Sequence, residues 1–305
     1  MANNTVIFIV GPTAIGKTRL SIKLAKLIGG EIISADSMQV YKGMRILSQA
    51  PKLSEKTMAR HHLVGVLDPG KEYSAASFRK KAAEIIKSVL THKRIPIVAG
   101  GSGLYIKALI DGLFPSPEAD PKFRSKMRRF AARYGSTALH ERLLKIDPGS
   151  AGAIHPNDAR RIIRALEIYH STGRTMSDLK RDTKGLAEVY EIKIFGLTKP
   201  REDIYSNIDL RVDRMFKEGV LAKVKKLKKK RLSKTAKAVL GLKEISEYLD
   251  GKRDLDTAKY LIKRNTRRFA KRQLTWFRAD KRIKWFDLSK VDEDEVVARI
   301  AKEAG

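Results

Sequence analysis

The chain has no cysteine in its 305 residues. Disulfides, thiolate-held metals and a thiol nucleophile are therefore excluded, and a reducing cytoplasmic setting is compatible with that composition. It also lacks any apolar run of about 18 residues, so no segment reads as a membrane-spanning helix. The opening MANNTVIFIVGPT carries no basic leader region and passes directly into an apolar stretch, which argues against a signal peptide and for a cytoplasmic protein. Acidic residues are scarce: 34 Asp and Glu face 64 Lys and Arg, a net charge of +30 at pH 7. Such an excess attracts polyanions, nucleic acid foremost. Histidines number six, and the adjacent pair His61-His62 has no acidic residue at ligand spacing, so a structural role is expected rather than a metal site.

What is present begins with TVIFIVGPTAIGKTRLSIKLAKLIGG. Gly11, Pro12, Thr13, Ala14, Ile15, Gly16, Lys17 and Thr18 fit G-x-x-x-x-G-K-[ST], the phosphate-binding P-loop. The context supports the match. Thr5–Val10 is a β-rich run, and Leu20, Leu24, Leu27 and Ile28 recur at helical spacing until Gly29-Gly30 stops the helix. Glycines let backbone N–H groups approach phosphate oxygens, Lys17 adds a point charge, and Thr18 can ligate Mg²⁺. Glu31–Ala35 and Ile95–Ala99 read as further strands, and 74–94 as a helix with Ser74 at its N-cap. Alternating strands and helices predict an α/β fold with a P-loop, doubly wound parallel sheet core.

The alternation stops after Gly112. FPSPEADP, residues 114–121, is a Pro-punctuated linker; 122–183 reads as helical and Arg-rich; strand character returns at 189–199 and 282–288. The expected organisation is a core of 1–114 and 186–305, with basic C-terminal helices, interrupted by a helical insertion domain over 115–185.

A P-loop does not name a reaction. The strand IPIVA runs into Gly100-Gly101-Ser102-Gly103, with no carboxylate, whereas IISAD ends at Asp36. Asp36 is expected at the carboxyl edge of the sheet beside the loop, where doubly wound folds bind ligands. This suits group transfer involving a small phosphorylated compound, with Asp36 as base, better than a motor ATPase. The structural alternative is that Asp36 and Ser37 merely cap a turn, and GGSG alone is a weak signal. Three basic segments follow. In 155–170, Ile162, Ile163, Leu166 and Tyr169 form a buried stripe, while Arg160 and Arg164 share another face with Arg161 near it. Residues 221–237 are Lys-dense; 265–278 mix Arg and Lys with Phe269, Trp276 and Phe277, whose helical spacing assigns them to the core. Together these segments suggest a track for a phosphate backbone.

GPTAIGKT, ISADSMQVYKGM, HHL, YSAASF, IPIVAGGSGLYIKAL, HPNDARRIIRALE, RVDRMFKEG and RRFAKRQLTWFR occur in this order. The series resembles the tRNA dimethylallyltransferases, the bacterial-type tRNA isopentenyl transferases, from about residue 5 to 288. The resemblance implies transfer of a dimethylallyl group from dimethylallyl diphosphate to N6 of the adenosine 3′ to the anticodon of tRNA, releasing diphosphate. It further implies a nucleotide-binding, ATP-type loop at 11–18 that holds the diphosphate with Mg²⁺ at Thr18, and an insertion that helps grip the anticodon stem-loop. Asp36 would be the general base, assisted by Lys17, Ser102 and Arg211. Ser102 stands where the family usually has Thr, and GLKE at 241–244 departs from a more usual GYKE. Asp36, Ser37, Met38, Gln39, Ser102, Arg124, Arg160, Arg161, Ile162, Ile163 and Arg164 fall in segments that contact tRNA in the family. A monomer without membrane partners is expected. Three alternatives stay open: prenylation of free adenine nucleotides, a small-molecule P-loop kinase, and a non-catalytic nucleic-acid-binding NTPase.

Overall fold

The computed structural model describes residues 4–114 and 117–304. The described residues of 4–110 and 186–304 form one compact unit, and those of 111–185 a second. The expected boundary at 114/115 and part of the FPSPEADP linker fall on residues 115 and 116, which lie outside the described residues.

The first unit opens with β1 (Thr5–Val10), α1 (Lys17–Ile28), β2 (Glu31–Ser34), α2 (Arg45–Ser48), α3 (Leu53–Met58), β3 (His61–His62), α4 (Ala75–Thr91), β4 (Pro96–Gly100) and α5 (Gly103–Ile110). The second unit holds α6 (Pro121–Ile146), α7 (Pro148–Ala153), α8 (Ala159–Thr172) and α9 (Met176–Arg181). The chain then returns through β5 (Glu191–Thr198), α10 (Arg201–Lys217), α11 (Val220–Lys228), α12 (Lys234–Lys237), α13 (Leu242–Leu249), α14 (Leu255–Arg278), β6 (Lys284–Asp287) and α15 (Glu293–Ala304).

Among the described residues six strands form one sheet, all parallel, in the order β3-β2-β4-β1-β5-β6. β1 is buried along its whole length, as expected for a central strand covered on both faces. The chain first moves away from β1 to β2 and β3, then fills the gap with β4 and crosses to β5. That reversal puts a crevice at the carboxyl ends of β1 and β4. Register aligns those ends: Val10 lies opposite Gly100, and Ser34 opposite Ala99. The loops beginning at Gly11, Ala35 and Gly101 therefore leave the sheet along one edge.

Two expectations about helix faces need correction. Leu27 is exposed, and the buried face of α1 is Leu20, Ser21, Ile22, Leu24 and Ala25. Tyr169 is exposed as well, and Ile168 takes its place in the stripe of α8. Both misassigned side chains sit at the rim of an amphipathic helix, where helical spacing does not decide between inside and outside. The N-cap at Ser74 is present, its side chain accepting from Ser77 N. His61 and His62 form the short strand β3 beside β2. His62 Nε2 lies 2.6 Å from the buried carboxylate of Glu31, and His61 Nδ1 lies 2.7 Å from the Ala59 carbonyl oxygen. Among the described residues, no helix is long and apolar enough to cross a membrane.

Candidate active site

The chain turns sharply after β1 because Gly11 adopts φ +147°, and a Cβ there would lie 2.7 Å from the Leu197 carbonyl oxygen. No other residue type fits without moving β5. Ala14 and Gly16 also take positive φ, which brings the loop round so that α1 starts at Lys17. The result is a loop of backbone N–H groups capped by a helix N-terminus, a ready site for an anion.

Two helices from the far end of the sequence hold this loop in shape. From α10, Asn207 Nδ2 donates to Ala14 O at 3.3 Å and Arg211 Nη1 donates to Thr13 Oγ1 at 2.6 Å. From α14, buried Gln273 accepts from Thr13 N through Oε1 and donates to Gly101 O through Nε2, both at 2.8 Å. One amide thereby links the loop after β1 to the turn after β4. Lys17 folds back onto the loop, its Nζ donating to Gly11 O at 3.0 Å and Pro12 O at 2.7 Å.

Asp36 leaves β2 on the same edge. Its Oδ1 accepts from Met38 N at 2.8 Å and Gln39 N at 3.3 Å, which orients the carboxylate. Ser102 Oγ accepts from Ser37 N at 3.2 Å, so the turns after β2 and β4 are tied together. Burial lowers the pKa of Lys17 to about 8, with Asp36 opposing and Arg211 adding to the shift. Burial also lowers Arg211 to about 10, again opposed by Asp36.

Two cavities meet at these groups. The first, about 290 Å³, is lined by the loop from Thr13 to Thr18, by Asp36, Gln39 and Arg214, and by His61. The second, about 300 Å³, has apolar walls that include Met38, Leu47, Val239, Ile262 and Phe269, with Ser102 and Arg272 among its polar lining. Thr13, Asp36, Ser48 and Arg211 border both. A carboxylate and a guanidinium thus stand where an anion-binding chamber and an apolar chamber adjoin. Such an arrangement can neutralise a leaving anion on one side and accept a proton on the other.

A sequence profile of the IPP transferase family matches residues 39–280. A tRNA dimethylallyltransferase of Carboxydothermus hydrogenoformans is 49% identical over 302 residues, spanning 98% of this chain and 97% of its own length. The chain belongs to the IPP transferase family. A crystal structure of the tRNA isopentenylpyrophosphate transferase of Bacillus halodurans superposes with a TM-score of 0.73 at 40% identity, covering 98% of this chain and 95% of that one. A eukaryotic dimethylallyltransferase captured acting on tRNA gives a TM-score of 0.78 at 28% identity, covering 99% of this chain and 77% of its own. An α/β P-loop core is common ground for the family and this chain.

The residues expected to form the family's site fall in both units. Gly11 to Thr18, Asp36, Ser37, Met38, Gln39, Ser102 and Arg211 converge in the first unit. Arg124, Arg160, Arg161, Ile162, Ile163 and Arg164 belong to the second unit. The Ile162 and Ile163 side chains are buried in that unit's own core. Arg124 and Arg164 both bind the buried carboxylate of Glu167, and Arg161 lies 3.3 Å from Asp158; Arg160 is exposed. Sequence reasoning missed Gln273, Phe269 and Arg272, which face the site from α14. Of the three aromatics assigned to the core, only Phe277 is fully buried; Trp276 is 38% exposed and Phe269 lines the apolar chamber.

Proposed function

We propose that the protein transfers a dimethylallyl group from dimethylallyl diphosphate to N6 of the adenosine 3′ to the anticodon in tRNA. The observation that carries this reading is the junction of the two chambers at Asp36 and Arg211. A kinase would need a second polar site for its acceptor, whereas the second chamber here is largely apolar and suits the faces of a nucleobase.

The diphosphate occupies the P-loop chamber, held by the loop N–H groups, Lys17 and Arg211. As the allylic C–O bond breaks, its electron pair stays with the diphosphate, whose growing charge these groups stabilise. The flipped adenine enters the apolar chamber beside Ser102, its N6 forms the new C–N bond, and its proton passes to Asp36. Among the described residues no cluster of three or more His, Cys, Asp or Glu stands ready for a metal ion. The Thr18 hydroxyl and the Asp36 carboxylate in the loop chamber are nevertheless hard oxygen donors, which fit an ion that binds chiefly through substrate phosphates. Thr18 would hold Mg²⁺, which when bound adds positive charge at the diphosphate oxygens.

The test incubates the protein with Mg²⁺, tRNA and dimethylallyl diphosphate, without ATP, and reads digested nucleosides by mass spectrometry. Prenylated adenosine confined to the position beside the anticodon is expected, and the Asp36→Ala variant should bind tRNA but give no product. Prenylated AMP with unmodified tRNA, or a requirement for ATP, would replace this reading.

A further inference from the structure

The three basic runs of the sequence differ in what their charges do. In α8, Arg161 and Arg164 are engaged by Asp158 and Glu167. In α14, Lys263 and Arg267 are engaged by Asp213 and Asp209. The run over α11 and α12 is different: between Glu218 and Glu244 the sequence has ten Lys and Arg and no acidic residue. Lys225, Lys226, Lys228, Lys229, Lys230, Arg231, Lys234 and Lys237 are all exposed, and among the described residues only Lys228 of these has an ion pair, with Asp250.

These cations are presented on a fixed support. The Glu72 carboxylate accepts from Lys234 N at 2.6 Å and Thr235 Oγ1 at 2.7 Å, and Ser233 N donates to Pro69 O at 2.8 Å. Lys228, Lys230, Lys237 and Lys243 line one groove of about 490 Å³, whose floor is Leu227, Leu232 and Leu242. From Lys237 the chain runs directly into Ala238, Val239 and Leu240, which wall the apolar chamber.

We propose that this groove, and the lysines beside it on α11, bind the sugar-phosphate backbone of the substrate tRNA, outside the nucleotide that enters the chamber. The inference rests on the tRNA-prenylating function and adds a contact surface on the α/β core. A row of exposed cations, all but Lys228 without an ion pair among the described residues, runs in sequence into the wall of the apolar chamber and suits the phosphates flanking a flipped nucleotide. An apolar floor between lysines suits ribose faces, while the rigid mounting limits the entropy lost on binding.

The test compares the wild type with a Lys226→Gln, Lys229→Gln, Lys230→Gln, Lys237→Gln variant, and with a Lys80→Gln, Lys87→Gln control on α4. tRNA affinity is measured from 50 to 200 mM salt alongside steady-state prenylation. Each lost phosphate contact reduces the slope of log K against log salt by about 0.7–0.9, or about threefold in affinity over that range. The groove variant should be shallower by at least about two contacts. Its KM for tRNA should rise, with kcat at saturating tRNA and KM for dimethylallyl diphosphate unchanged. An unchanged slope with normal prenylation, or an equal loss per charge in the α4 control, overturns the inference and leaves the function standing. No prenylated tRNA from the wild type is the separate failure, that of the function itself.

Discussion

Lys17 has two jobs whose conflict is measurable. With no anion beside it, its ammonium leans on two loop carbonyls, and burial has lowered its pKa to about 8. A bound diphosphate stabilises the charged form and raises the pKa again. Between about pH 8 and the raised pKa of the complex, the complex therefore binds more protons than the free protein. Affinity is complete below that value and declines as pH rises through it. Calorimetric titration with dimethylallyl diphosphate at pH 8.5, in two buffers of different ionisation enthalpy, should report uptake of about half to one proton. The Lys17→Met variant should lose that uptake together with most of the affinity. Buffer-independent heats in the wild type would show that Lys17 is already fully charged without ligand.

At the scale of elements, the site is a loop from the start of the chain braced by helices from its end. Gln273 carries a brace between two turns, satisfying Thr13 N and Gly101 O at once. The turn is built around that amide, since a Cβ on Gly101 would lie 2.1 Å from Gln273 Nε2. Replacing Gln273 by Met keeps the side chain's bulk but leaves two backbone groups unpaired, at a cost of about 1–3 kcal/mol each. The expected result is a kcat/KM loss of about tenfold or more, with a lower melting temperature. Equal kcat/KM with lowered melting temperature would reduce Gln273 to a structural residue. The placement of the P-loop and Asp36 at one sheet edge was legible in the sequence because each ends a contiguous strand pattern, whereas Ser102 in GGSG was a weak signal that only the resemblance picked out. Gln273 and Phe269 were not legible, because α14 reads as one amphipathic basic helix and its contacts are made by residues about 170 to 260 positions earlier. The acid beside His62 was hidden for the same reason: Glu31 is brought to it by the pairing of β2 with β3.

At the scale of the whole molecule, each unit has its own core, and the second unit also holds an ion network around one buried carboxylate. Glu167 is fully buried and accepts from Asp120 N at 2.8 Å, from both Arg124 Nε and Nη2 at 2.8 Å, and from Arg164. Burial alone would raise its pKa, but the hydrogen bonds from Arg124 and Arg164 outweigh it and lower the value to about 2. A folded-state pKa below the unfolded one gives stability that is complete above about 4.5 and lost as pH falls toward 2, about 3 kcal/mol in all. Glu167→Gln leaves two partly exposed arginines without their counter-charge and should cost about 3 kcal/mol at neutral pH. Because the loss falls on a separate core, hydrogen exchange should accelerate across 111–185 while β1, β4 and β5 keep their protection. Dimethylallyl diphosphate binding should survive, and tRNA affinity should fall. Protection lost equally from the sheet would mean that the two units unfold as one cooperative body. Unchanged exchange would mean that the arginines find other partners. Acid should reproduce the substitution in the wild type, since protonating Glu167 removes the same charge that Gln removes. The variant should accordingly lose less stability than the wild type between pH 4.5 and 2, which separates the buried carboxylate from general acid repulsion.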